Sequence, residues 1–201
     1  SSVDETSFSE TTSASFGSNF YVGAVESSAT GEAVTFSYDF SMGLSTSFTG
    51  EDSLDVAVIG GNAGTTAVDG YMGGDNTSDA LMLDGISYTF PLGGATIIVG
   101  DGVGVDDMNT GACAYSAFTD LLSNCGSGTA AGLGGGSDFT ASPNSSSSAT
   151  IAAAYDFGNG FTFAGGLSGA GGDSDGLFTK ESKDVFGVQA AYNTDTYGVS
   201  V

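Results

Sequence analysis

The sequence predicts an all-β protein: an antiparallel up-and-down transmembrane β-barrel, of which residues 1–201 form a portion of about nine strands. Three observations predict it. Large apolar side chains recur with a period of two, over stretches longer than an ordinary strand. The connections between these stretches alternate, short then long. The chain holds 34 glycines and two prolines, which suits turns and strands better than helices.

The longest stretch is "VTFSYDFSMGLSTSF", residues 34–48. Its even positions are Val34, Phe36, Tyr38, Phe40, Met42, Leu44, Thr46 and Phe48, apolar except for Thr46. Its odd positions are Thr35, Ser37, Asp39, Ser41, Gly43, Ser45 and Ser47. Successive side chains of a strand point to opposite sides, so this reads as a strand with one greasy and one wet face. Fully extended it would run roughly 50 Å. Globular strands usually stop at about 5–6 residues, whereas a tilted membrane strand needs about 9–11.

The other elements follow in order. Residues 5–25 place Phe16, Phe20 and Val22 in step. Shorter candidates lie at 54–63 and 95–100. Residues 81–92 set Ile86, Tyr88, Phe90 and Leu92 on one face. Residues 149–157 and 161–167 carry Tyr155, Phe157, Phe161, Phe163 and Leu167 around a Gly-Asn-Gly turn. Residues 184–192 carry Phe186, Val188, Ala190 and Tyr192, and the last stretch carries Tyr197, Val199 and Val201.

The connections are "ESSATGE", "TGEDS", 64–80, "PLGG", 101–148, "GNG", 168–183 and "NTDT". From the second onward they alternate short and long; the first is intermediate and falls where a long one belongs. Outer-membrane barrels place short turns on one side and long loops on the other. In "YDFGNGFTF" the Gly-Asn-Gly run is expected to supply positive φ. Tyr155, Phe157 and Phe161 would then join an aromatic girdle at the membrane interface. A soluble antiparallel sandwich also accommodates hairpins and alternation. Strand length and loop alternation together favour the barrel.

Composition bounds the function. The chain carries 24 acidic residues, two lysines (Lys180 and Lys183), and no Arg, His or Trp, for a net charge of −22. Its 40% hydrophobic content, with eight Tyr and fourteen Phe, exceeds that of a disordered acidic tail. Almost nothing is available to neutralise phosphates, which argues against nucleic-acid binding. No apolar run of transmembrane-helix length occurs. The opening "SSVDETSF" lacks the features of a signal peptide and an initiator Met, as expected of a mature or trimmed piece.

Chemistry has few carriers. Without histidine, Ser/His/Asp, Cys/His and His-ligated metal sites are impossible. Paired carboxylates could act on glycosides, but Asp106 and Asp107 lie in a glycine-rich loop that fixes no geometry. The sequence therefore predicts no enzyme. Cys113 and Cys125 enclose "AYSAFTDLLSN" and read as a disulfide of a secreted chain, worth roughly 3 kcal/mol. Ala114, Phe118, Leu121 and Leu122 between them have helical spacing. The 101–148 loop is thus expected to hold a short pinned helix, either as a constriction folded into the pore or as an extracellular cap. Asp173 and Asp175 in "GGDSDG", and Asp75 and Asp79, offer oxygen ligands suited to calcium or simply solvated charge. Asp39, on the polar face of the longest strand, joins Asp101, Asp106, Asp107 and Asp120 as candidates for lining a pore and setting its ion preference.

The phrases "ATGEAVTFSYDFSMGLSTSFTGEDSL", "LDGISYTFPLGGATIIVGD" and "AAYDFGNGFTFAGGLS" resemble the barrel region of cyanobacterial outer-membrane porins. These are the porins with an S-layer-homology domain, grouped with carbohydrate-selective and iron-uptake porins. The resemblance covers most of the chain as a pattern of strand and turn phrases. It implies an outer-membrane barrel, trimeric, embedded in the lipid bilayer, for passive diffusion of small hydrophilic solutes and inorganic ions. It implies no cofactor. The S-layer-homology domain is absent, and the chain ends at "YGVSV" without a terminal aromatic strand, so an incomplete portion of a longer protein is expected. Near-absence of Lys and Arg departs from the basic lumen of the family. The alternative is a secreted β-rich structural protein, such as an S-layer, filament or adhesin module, with calcium-binding Asp loops. The two readings differ in whether the apolar face of 34–48 meets lipid or a core.

Overall fold

The structure is a computed structural model. It describes residues 6–7, 11–24, 34–64, 74–101, 103, 107–109, 148–170, 176, 179–180 and 183–200. Every regular element among them is a strand: β1 (Thr6–Ser7), β2 (Thr12–Ala24), β3 (Val34–Thr46), β4 (Ser53–Gly61), β5 (Met82–Leu92), β6 (Ala95–Asp101), β7 (Ser148–Asp156), β8 (Phe161–Ala170), β9 (Lys183–Asn193) and β10 (Gly198–Ser200). No helix among the described residues is long and apolar enough to cross a membrane, which says nothing of crossing by strands.

The chain divides into two compact units, Ser1–Phe48 with Leu54–Gly85, and Thr49–Ser53 with Ile86–Val201. Strand order follows the chain, with β1 to β3 and β4 from Leu54 onward in the first unit, and β5 from Ile86 onward with β6 to β10 in the second. All pairings within them are antiparallel. The protein is an all-β antiparallel up-and-down sheet, and in neither unit does the last strand pair with the first among the described residues.

The expected strands are present, with two corrections. The stretch 5–25 divides into β1 and β2, which fold back on each other with Thr6 opposite Ala14. The long strand stops at Thr46, before Phe48. The cause is the turn that follows. Asp52 Oδ1 accepts hydrogen bonds from Thr49 N at 2.7 Å and Thr49 Oγ1 at 2.8 Å, and Gly50 adopts φ 88°. A side-chain carboxylate that satisfies backbone donors favours a turn over further ladder.

Connection lengths alternate strictly. β5 and β6 are joined by Gly93 and Gly94 alone, at φ 60° and 88°, the two-residue loop whose twist matches the flanking strands. β7 and β8 are joined by 157–160, where Phe157 N donates to Phe161 O at 3.0 Å. β9 and β10 are joined by 194–197, where Thr194 N donates to Tyr197 O at 2.9 Å. The long connections 25–33, 62–81, 102–147 and 171–182 fall between these. Within each unit the short turns therefore share one end of the ladder and the long connections the other.

Candidate functional site

Register sorts the side chains into two faces. In the first unit Phe16 pairs with Met42, Phe20 with Tyr38 and Val22 with Phe36, and the row continues through Met42 to Val58 and Leu44 to Val56. The opposite face pairs Ser15 with Gly43, Gly17 with Ser41, Asn19 with Asp39 and Tyr21 with Ser37. In the second unit the apolar row runs Ile151, Leu167, Phe186, and beside it Tyr155, Phe163. Its opposite face pairs Thr150 with Ser168, Ala152 with Gly166 and Ala164 with Gln189.

Burial runs opposite to a water-soluble sheet. Phe36 is 63% exposed, Val188 71% and Phe186 66%, and Phe20, Val22, Ile151, Phe161 and Phe163 are exposed as well. Asp39 is 8% exposed and Ser168 1%, and Ser37, Thr150, Ala152, Ala164, Gln189 and Ala191 are buried. Single exposed apolar residues are ordinary. A continuous row of them across paired strands is not, because soluble monomers rarely leave large apolar patches in water.

Aromatic rings gather at the short-turn end of the second unit. Tyr155 meets Phe157 edge-on at 4.8 Å between centroids. Phe161 lies 4.3 Å from Tyr192, which lies 6.0 Å from Tyr197. In the first unit the rings pair along β2 and β3, Phe16 with Phe40 at 6.4 Å and Phe20 with Phe36 at 6.1 Å.

The small-residue face of the first unit centres on Asp39. Asn19 Nδ2 donates to its Oδ1 at 2.8 Å and the Tyr21 hydroxyl to its Oδ2 at 2.5 Å. Hydrogen bonds to a carboxylate are charge-assisted and stronger than neutral ones. The 62–81 connection covers part of this face. Ala63 is fully buried, and a Cβ built on Gly74 would stand 3.0 Å from the Tyr21 ring. The same Cβ would overlap that of Ala63, so only glycine leaves room for the backbone to pass there. On the apolar face, the Tyr38 hydroxyl donates to Asp79 Oδ1 at 2.9 Å.

The root of the 102–147 connection does the same in the second unit. Val103, 4% exposed, packs with Ile98 and Ala152, and Met108 packs against them. The Thr150 hydroxyl donates to Val103 O at 2.8 Å and shares a 2.8 Å hydrogen bond with Ser168 Oγ. The polar pair thus seats the connection where the face is lined by small residues.

The predicted site residues are placed as follows. Asp39 occupies the small-residue face of the first unit. Asp101 ends β6 opposite Ile86 and Ala149, which sets it in the apolar row at the long-connection end, apart from Thr150 and Ser168. Asp107 is an exposed turn residue beside Met108. Asp106, Asp120, Cys113, Cys125, Asp173 and Asp175, with the expected disulfide and pinned helix, lie outside the described residues, whereas Asp75 and Asp79 are described and exposed. Among the described residues no group of three or more His, Cys, Asp or Glu could hold a metal ion.

Three features escaped sequence reasoning. Asn19 and Tyr21 are the partners of Asp39, and only register brings them together. Asp52 is buried, and its Oδ2 accepts from the Tyr88 hydroxyl at 2.6 Å; the Thr-Gly-Glu-Asp spacing was the available signal. The Thr150–Ser168–Val103 seat has no sequence signature. No protein-family profile, curated protein or solved structure matches the chain.

Proposed function

We propose that this chain forms strands of an outer-membrane β-barrel porin, allowing passive diffusion of small hydrophilic solutes and inorganic ions. The observation that carries the reading is the inverted burial of the sheet. Phe16, Phe20, Phe36, Ile151, Phe186 and Val188 of the apolar rows are exposed, whereas Ser37, Asp39, Thr150, Ala152, Ala164, Ser168 and Gln189 on the opposite faces are covered. Lipid-facing strands of such barrels alternate apolar-out and polar-in. Exposed apolar rows cost free energy in water at about 25 cal/mol per Å², and hydrocarbon removes that cost. Aromatic clustering at the short-turn end supports the same reading, since Tyr and Phe gather at membrane interfaces. Ladder ends with short turns on one side and long connections on the other support it further. On this reading the small-residue face meets the solute path, and Asp39 stands on that face. Neighbouring copies meet through the apolar rows, as in a homotrimer.

The test is extraction followed by electrophysiology. The protein should require detergent and, after reconstitution, should give stepwise conductance in a planar bilayer. A protein that is monodisperse without detergent and leaves the bilayer silent would instead be the secreted β-rich structural protein, its apolar rows covered by neighbouring copies.

A further inference from the structure

We propose that Asn159 is a site of spontaneous modification, converting to aspartate and isoaspartate in the folded protein. Asn159–Gly160 is the chain's sole Asn-Gly dipeptide. It lies in the turn between β7 and β8, where Asn159 is exposed to water. Gly158 and Gly160 on either side adopt φ 73° and 88°, and neither carries a Cβ to shield the peptide nitrogen. Phe161 N donates to Asn159 Oδ1 at 3.2 Å. That bond draws electron density from Cγ and holds the side-chain carbonyl beside the Gly160 peptide unit, the geometry of an Asx turn. The other described asparagines differ. Asn19 donates to Asp39 from within β2 and precedes a phenylalanine. Asn62, Asn76, Asn109 and Asn193 precede Ala, Thr, Thr and Thr, whose side chains crowd the attacking nitrogen.

The chemistry needs only water. The Gly160 nitrogen loses its proton to hydroxide and attacks Asn159 Cγ. A C–N bond forms, the Cγ–Nδ2 bond breaks, and ammonia leaves with a proton from solvent. Water then opens the cyclic imide at either carbonyl, giving aspartate or isoaspartate. Nothing is oxidised or reduced. The isoaspartyl product routes the backbone through Cβ and Cγ and so lengthens it by one carbon. Gly160 O accepts from Asn193 N at 2.9 Å, and Phe157 N donates to Phe161 O at 3.0 Å; the longer backbone misaligns both. The new carboxylate also adds a second negative charge three residues from Asp156, which already accepts from Gly158 N at 2.7 Å.

The test needs no membrane and does not depend on the porin reading. The folded protein in detergent and a free peptide spanning 155–163 are aged in the same buffers at neutral and mildly alkaline pH. Isoaspartate is read by an isoaspartyl carboxyl methyltransferase with labelled S-adenosylmethionine, and the position by peptide mapping. The folded protein should acquire label at residue 159 at a rate comparable to the peptide's. That rate should rise in proportion to hydroxide, and Asn159→Gln should abolish the label. Retention of asparagine at 159 while the free peptide converts would overturn the proposal, as would label appearing first at another asparagine.

Discussion

Asp39 illustrates how one side chain is fixed by two neighbours across a ladder. Its carboxylate is buried yet accepts from Asn19 and Tyr21. Burying a charge is costly unless hydrogen bonds replace its water. Tyr21→Phe removes one of the two donors and should lower stability, because of the two only Asn19 then donates to the carboxylate. Unfolding by urea in lipid vesicles measures it, and an unchanged midpoint would mean that water replaces the hydroxyl. A second residue-scale prediction separates lipid from water. Phe40→Arg, at the middle of β3, should cost about 2–4 kcal/mol if the residue lies near the bilayer midplane, but little if it faces water, where surface changes stay within about 0.5 kcal/mol. Ser41→Arg, on the opposite face, is the control. Equal costs at the two positions would remove the lipid-facing assignment.

At the scale of elements, the hairpins carry the local instructions. Gly93 has φ 60°, and a Cβ built on it meets nothing within 4 Å. The cost of Gly93→Ala is therefore purely conformational, about 1–2 kcal/mol for an L-residue in the left-handed region. Gly93→Asn should cost less, because asparagine tolerates that region. Thermal unfolding of the pair checks the order. The seat of the long connection is a different kind of element, held from a distance. Thr150→Val removes the donor to Val103 O and leaves that buried carbonyl without it, at about 1–3 kcal/mol. Limited proteolysis should then cut near Met108 and Asn109 faster than in the parent; unchanged cutting would assign the seat to the apolar packing alone. The turns and alternating strands were legible because each depends on neighbours a few residues apart. The seat was not, because Val103, Thr150 and Ser168 are distant in sequence and meet only through the register of β6, β7 and β8.

For the whole molecule, charge is the dominant quantity. With a net charge of −22 and no arginine, a pore walled by this chain should favour cations, since carboxylates along a pore favour them. The preference should weaken as salt rises and the Debye length shrinks to roughly 10 Å at 0.1 M. Reversal potentials across a planar bilayer under a salt gradient measure it. Anion selectivity would place the acidic side chains outside the conduction path. Asp39 is the residue to neutralise first, as Asp39→Asn, because it alone of the five predicted acidic residues is described on a small-residue face.

What the sequence determined by itself was the period of two, the turn chemistry and the charge, hence an all-β antiparallel chain with one greasy and one small-residue face. These are local or additive properties, carried by each strand without reference to its partners. Which face is covered was decided only by the tertiary structure. A period of two is the same whether the apolar row turns toward a core or away from it, and the exposure of Phe36 and burial of Ser37 distinguish them. The company each polar group keeps was likewise a tertiary decision. Asp39 and Asp101 read alike as pore-lining candidates, one in a strand and one at the start of a loop, yet register sets Asp39 beside Asn19 and Tyr21 and Asp101 in the row of Ile86. The pairing of strands distant in sequence fixes that difference, and no local pattern encodes it.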